Sequence, residues 1–333
     1  MNFVNEDIVT LNRISITNLL QEIGTDGVRE EIVAGLTSKK KVISSKYFYN
    51  KVGSELFEEI TGLEEYYPTR TEMAILERIA PELMKVYEGY DIIELGSGDS
   101  SKISILFQAA SRHQSGEIHY LPLDISQPAI LNSAEELVKV FPNIIIDGYA
   151  VDFTSQFGLI KRDRPALICF FGGTIGNFEW DASLELLQNI GRQMKPGDIL
   201  LLGMDLVKPE PILHAAYNDA RGITSDFNRN ILNTVNEMIA SDFQPADFEH
   251  LAFFNRDMFR IEMHLVAKHD LVVHSPFFTE PLIFRKGEGI HTENSHKYSR
   301  EHIEEMALAA GLRLNQTYTD EKGWFALSEF QQD

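Results

Sequence analysis

Between about residues 72 and 206 continuous apolar runs alternate with amphipathic stretches, and this alternation limits the fold more than any other feature of the chain. The apolar runs are Asp91–Leu95, Ile118–Leu123, Ile144–Val151, Ala166–Phe171 and Ile199–Leu202. Before them, Ile75, Leu76, Ile79, Leu83 and Met84 recur at helical spacing, with Glu77, Arg78, Glu82 and Lys85 on the opposite face. Thr69 and Glu72 have the spacing of a capping box that would open this helix. Ser101–Ala110, Ala129–Val140 and Ala182–Met194 are the helical stretches between the later runs. Strands apolar on both faces need cover on both, so the alternation predicts a parallel sheet between two helical layers.

After Lys208 the strand signal stops, and helical stretches follow at Ile212–Ala220 and Asn228–Ala240. Met258–Val266 then alternates as a strand does, and Leu271–Phe284 suits further β structure or loop. Ser299–Ala310 is an amphipathic helix closed by Gly311, and Trp324–Phe330 has the look of a final strand. The partition expected is an α/β, Rossmann-like core from residues 72–206 and 299–333. Residues 1–71 and 207–298 would form a second lobe.

The formal charge of −20 comes with no compensating basic cluster, which argues against nucleic acid as a partner. No apolar run approaches membrane-spanning length, so no membrane partner is expected either. The first ten residues lack a basic-then-apolar signal, and the one cysteine, Cys169, lies inside an apolar run. These features fit a cytoplasmic protein without disulfides or a cysteine-rich zinc site. His291 and His296 lack carboxylate neighbours at a recognised ligand spacing, so no metal is expected.

The chemistry points to the ends of the strands, where open α/β sheets bind ligands. Asp91-Ile92-Ile93-Glu94-Leu95-Gly96-Ser97-Gly98 is an apolar strand with a late carboxylate and a Gly-x-Gly turn. Glycine there admits a ligand close to the backbone, but the third glycine of the dinucleotide fingerprint is missing. Glu94 would repel a pyrophosphate and attract an ammonium or sulfonium, so the turn suits S-adenosylmethionine better than NAD. Asp124, ending the second strand, can take ribose hydroxyls, or serve as a turn or N-cap aspartate. Asp152 and Phe153, after the third strand, can accept from an adenine amino group and stack on the base, or serve as a turn acid and a core ring. The fourth strand runs into Gly172-Gly173-Thr174-Ile175-Gly176-Asn177. That run suits backbone approach and oriented hydrogen bonds, and the Asn177 amide both donates and accepts.

With these pieces in place, the chain resembles the histidine-specific N-alpha-methyltransferase family of ergothioneine biosynthesis over nearly its whole length. The resemblance is carried by Lys46-Tyr47-Phe48-Tyr49, Gly53-Ser54-Glu55-Leu56-Phe57, Glu65-Tyr66-Tyr67-Pro68-Thr69-Arg70 and the Glu94–Gly98 turn. It continues through Gly173–Phe178, Tyr217-Asn218-Asp219, Arg260-Ile261-Glu262-Met263 and Thr292-Glu293-Asn294-Ser295. It implies a class I methyltransferase core with a substrate-binding lobe. The implied reaction moves three methyl groups from S-adenosylmethionine to the α-amino group of histidine. By the same resemblance Asn177 and Tyr217 hold the amino acid's two polar ends, and Tyr66, Glu293 and Ser295 read the imidazole, with Met263 lining that set. Tyr49 and Phe57 match aromatics at the site of transfer, and Gly96, Lys102, Asp124, Asp152 and Phe153 match the cofactor set. A small amino acid substrate and a monomer are expected.

The residue types suit this assignment. A neutral imidazole offers one donor and one acceptor, which a carboxylate and a hydroxyl satisfy together. An indole offers a donor alone, which argues against the tryptophan-derived amines that other members of the superfamily methylate. The same fold acting on a different free amino acid or amine is the alternative.

Overall fold

The computed structural model describes residues 7–11, 13–20, 25–113 and 116–332. In chain order its elements begin β1 (Asp7–Leu11), β2 (Ile14–Asn18), α1 (Thr25–Thr37), α2 (Lys51–Thr61), α3 (Tyr67–Val86), β3 (Asp91–Leu95), α4 (Ser101–His113), β4 (Ile118–Asp124) and α5 (Gln127–Val140). Then come β5 (Ile144–Ala150), α6 (Phe153–Gln156), β6 (Ala166–Phe170), α7 (Trp180–Gln193), β7 (Ile199–Asp205), α8 (Glu210–Tyr217) and α9 (Ile223–Ile239). The chain finishes with β8 (Phe248–Asn255), β9 (Arg260–Ala267), β10 (Leu271–Val273), β11 (Leu282–Phe284), β12 (Gly289–His296), α10 (Arg300–Ala310), β13 (Leu312–Thr319) and β14 (Phe325–Gln332).

The chain divides into two compact units: Met1–Gln21, Arg70–Leu206 and Tyr298–Asp333 form one, and Glu22–Thr69 with Val207–Lys297 the other. The first unit holds a sheet ordered β1-β2-β5-β4-β3-β6-β7-β14-β13. The inner strands β5-β4-β3-β6-β7 run parallel, and β14 is antiparallel to β7. That is the expected class I methyltransferase core. Successive residues of β3 enter opposite layers: Ile92 packs with Ile103, Leu106 and Phe107, and Ile93 with Leu121, Ile168 and Leu186. Burial on both faces is why these strands read as unbroken apolar runs.

Two expectations are corrected here. β1 and β2 belong to the large sheet rather than to a second lobe. β2 runs parallel to β5, and Ile14 and Ile16 are buried in its core. Arg13 at the turn between them fixes the attachment by donating to the carbonyls of Val138 (2.8 Å) and Phe141 (3.2 Å). Thr69 and Glu72 do not cap a helix, because α3 already starts at Tyr67, with Pro68 in its first turn where a missing N–H costs nothing. α10 ends as its sequence suggests, at Gly311 in the left-handed region (φ 68°), and its start is capped by the Ser299 hydroxyl, which accepts from His302 N.

The second unit combines α1, α2, α8 and α9 with an antiparallel sheet ordered β12-β9-β8 and the small β10–β11 pair. α9 turns Phe227, Ile231, Leu232 and Val235 inward, and Phe243, Phe248 and Phe284 pack ring against ring at one end of the unit. No described helix is long and apolar enough to cross a membrane.

Candidate functional site

In the first unit the cofactor candidates gather at the carboxyl ends of the parallel strands. The turn after β3 is tied to the end of β4 by Gly96 N and Ser97 N, which donate to Leu123 O at 2.8 and 3.2 Å. Gly96 and Gly98 have φ of 69° and 28°, a region that side chains disfavour. A Cβ on Gly96 would meet the Phe153 ring at 3.8 Å, an ordinary contact, so the positive φ rather than space is what favours glycine there. Asp124 stands beside the turn: Oδ2 accepts from Gly98 N at 3.3 Å and Oδ1 from Ser126 N at 2.9 Å. Asp152 caps α6 through Thr154 N at 3.0 Å, and the Phe153 ring lies edge-on to Phe170 at 5.5 Å. Both acids thus serve turns, Asp124 with both oxygens and Asp152 with Oδ1, a role the sequence left open beside the ligand role. An open glycine turn flanked by carboxylates and an aromatic ring at successive strand ends is a donor and acceptor set that fits an adenosyl cofactor.

Glu94 departs from the expectation of a plain carboxylate. It is 3% exposed and accepts from the Tyr120 hydroxyl. Burial pushes its carboxyl up to about 8, against the opposing pull of that hydrogen bond and of Lys102. Burial thus opposes its ionisation, so its charge is a weaker selector of cations than the sequence alone suggests.

Gly172 and Asn177 flank the turn after β6. Gly172 and Gly173 both sit in the left-handed region (φ 82° and 65°), and Thr174–Asn177 forms a 3-10 turn whose last residue, Asn177, is half-buried.

In the second unit the substrate candidates cluster around β9, β12 and a set of rings. Met263 and Glu293 are paired across the two strands, and Ser295 follows two residues on, facing the same side as Glu293. Tyr217, at the end of α8, donates to Ser295 Oγ at 2.7 Å. Tyr66 meets Tyr217 edge-on at 6.3 Å, Phe57 meets Tyr66 at 6.3 Å, and Tyr49 meets Phe57 at 5.7 Å. The Tyr49 ring remains about half exposed (48%). Every substrate candidate of this unit is therefore linked to another by register or ring contact.

The family model described as histidine-specific methyltransferase, SAM-dependent, matches residues 28–332. This chain belongs to that family. A histidine N-alpha-methyltransferase of Mycolicibacterium smegmatis is 37% identical over 318 residues, covering 95% of this chain and 98% of that protein. Ergothioneine biosynthesis protein 1 of Neurospora crassa is 28% identical over 341 residues, covering 98% of this chain and 37% of that one. The L-tryptophan methyltransferase trpM of Psilocybe serbica is 27% identical over 336 residues, with 91% and 92% covered. The chain is an S-adenosylmethionine-dependent methyltransferase.

The sequence gives one residue of this methyltransferase only a capping role, Glu72, and does not single out a second, Lys297. Glu72 on α3 is fully buried, and its carboxylate accepts from Gly172 N and from Lys102 Nζ, each at 2.9 Å. Gly203 on β7 makes room for it, since a Cβ there would lie 2.3 Å from Glu72 Oε1. The Lys102 of the cofactor set is thus held by a carboxylate that also anchors the Gly172 turn. The second is Lys297, just past β12 and 1% exposed. Its Nζ donates to Ser295 Oγ at 2.7 Å and to Tyr217 Oη at 3.1 Å, and it lies 4.9 Å from the Tyr217 ring centre. Burial pushes the Glu293 carboxyl up to about 7, and the Lys297 charge pulls it back down. A lysine four residues after Glu293, closing the polar run from Thr292, was the available signal.

Proposed function

We propose that this methyltransferase converts L-histidine to hercynine by three successive methylations of the α-amino group. The observation that carries the reading is the β9–β12 register, which sets Glu293 and Ser295 beside Met263 with Tyr217 bonded to Ser295. The family match supports the same substrate. The cofactor, when bound, supplies an electrophilic methyl group on a sulfonium centre.

The chain's own residues hold and align. Asp124 takes the ribose hydroxyls, Asp152 the adenine amino group and Phe153 the face of the base. The Gly96–Gly98 turn admits the backbone, and Glu94 and Lys102 complete the cofactor set. Tyr217 takes a polar end of the amino acid, and Asn177, with Gly172, keeps the polar role that the family resemblance gives it. Glu293 and Ser295 satisfy the donor and acceptor of the imidazole with Tyr66, and a substrate lacking those groups leaves them unpaired, which is how such sites reject analogues. Tyr49 and Phe57 face the amine. Displacement at carbon needs a neutral, aligned nitrogen rather than a strong base. A nitrogen that loses its N–H groups one by one cannot be held by hydrogen bonds alone. Aromatic faces hold it throughout and stabilise its growing positive charge.

The assignment separates experimentally. Glu293→Ala should raise the KM for histidine by about tenfold or more while S-adenosylmethionine affinity stays within about twofold. Asp124→Ala should do the reverse. Calorimetric titration of both variants with the cofactor, beside steady-state kinetics, decides it. Loss of cofactor affinity in Glu293→Ala contradicts the substrate role, and unchanged affinity in Asp124→Ala contradicts the ribose role.

A further inference from the structure

A second cluster in the same sheet has no part in this chemistry. Glu262 and His264 are two apart on β9 and so share a face, and His291 of β12 is paired directly with His264. A register shift between His291 and Glu293 separates His291 from the alternation of Glu293 and Ser295. The His264 ring stacks on His291 (4.8 Å between centres) and on Phe253 of β8 (5.5 Å). One ligating atom from each of Glu262, His264 and His291 lies within 4.8 Å of the other two.

We propose that Glu262, His264 and His291 bind one divalent transition-metal ion, of the zinc, nickel or copper kind, that staples β9 to β12. Glu262 Oε2 and His264 Nε2 are 3.1 Å apart. Ligands about 2.0–2.1 Å from a tetrahedral ion stand roughly 3.3 Å apart, so this pair already has ligand spacing and the third atom has at most about 1.5 Å to close. The hydrogen bonds leave the right atoms available. Arg260 Nε and Asn255 Nδ2 donate to Glu262 Oε1, at 2.9 and 3.0 Å, so Oε2 is the oxygen turned to the histidines. His291 Nε2 is 3.0 Å from Glu293 O. A carbonyl only accepts, so Nε2 carries the proton and Nδ1 keeps its lone pair, the arrangement common for metal-bound imidazole.

The ion replaces the proton between Glu262 Oε2 and His264 Nε2, which passes to solvent. Two imidazoles with one carboxylate favour zinc, nickel and copper over magnesium, which prefers oxygen ligands in an octahedron. Three protein ligands leave a fourth position for water. The Arg260 charge on Glu262 works against a cation, so the site should be weaker than a closed structural zinc site. The sequence could not show this cluster, because Glu262 and His291 meet only across the strand pair.

The test uses untagged, EDTA-treated protein titrated with ZnCl2 by calorimetry and thermal unfolding. One equivalent should bind, and saturation should raise Tm by about 3 °C or more, whereas MgCl2 should not. His264→Gln and His291→Gln, at half-buried positions that tolerate the change, should each weaken binding by about tenfold or more. Cobalt(II) should give visible absorption bands in the parent that both variants lose. No binding to the parent, or equal binding and equal Tm shift in both variants, overturns the proposal. The outcome is independent of the substrate reading, since zinc binding is read without histidine or cofactor.

Discussion

Glu72→Ala should destabilise the protein by about 3 kcal/mol or more, because it leaves half of a buried ion pair behind. The carboxylate is fully buried and receives both Gly172 N and Lys102 Nζ at 2.9 Å. Lys102 is itself only 17% exposed, so solvent replaces the lost partner only in part. The backbone N–H of Gly172 also loses its acceptor, although Gly172 is exposed and solvent can replace that bond. Glu72→Gln should fall between, keeping an acceptor oxygen but losing the charge. Because Gly172 and Lys102 belong to the candidate site, cofactor affinity should fall along with stability. Urea unfolding and calorimetric titration check both. A Glu72→Ala protein within about 0.5 kcal/mol of the parent, the range of an ordinary surface substitution, contradicts the account.

Lys297→Met should leave cofactor affinity unchanged, raise the KM for histidine by about tenfold or more, and move the acid limb of kcat/KM to higher pH. The ammonium holds the hydroxyls of Tyr217 and Ser295, and methionine keeps the bulk of the stem without the donors. The sign of the pH effect follows from Glu293. Its buried carboxyl titrates near 7 with the lysine charge pulling it down, so removing that charge sends it up. Ionised Glu293 accepts the imidazole N–H and protonated Glu293 does not, so the enzyme needs a higher pH to reach full kcat/KM. The substrate's own pKa values are common to both proteins, so the difference between profiles reports the enzyme. Lys297→Arg should restore most of the parent midpoint by restoring the charge. Superimposable profiles of parent and Lys297→Met would show that Lys297 has a packing role only.

The core strands were legible because burial on both faces writes them as unbroken apolar runs, and β3 came out with the bounds Asp91–Leu95. β12 carries no comparable strand signal, for a related reason. Its Thr292-Glu293-Asn294-Ser295 carries site and hydrogen-bonding side chains where an ordinary strand carries apolar ones. β13 escaped as well: it pairs on one side only, with β14, and its Arg313, Gln316 and Thr317 are solvent-facing. The cofactor acids could be named because each closes a strand with a strong signal. Glu72 could not, since its partners Lys102 and Gly172 lie 30 and 100 residues away and meet it only in the folded sheet. Residue spacing records contacts along one element, whereas these depend on which elements the topology brings side by side.

Incubating the protein with S-adenosylmethionine and an equimolar mixture of amino acids, then resolving products by mass spectrometry, tests the central claim most directly. The account predicts mono-, di- and trimethylated histidine, with hercynine accumulating and the other amino acids untouched. Methylation of tryptophan or another component in place of histidine, or no methylation by protein that binds the cofactor, would contradict it.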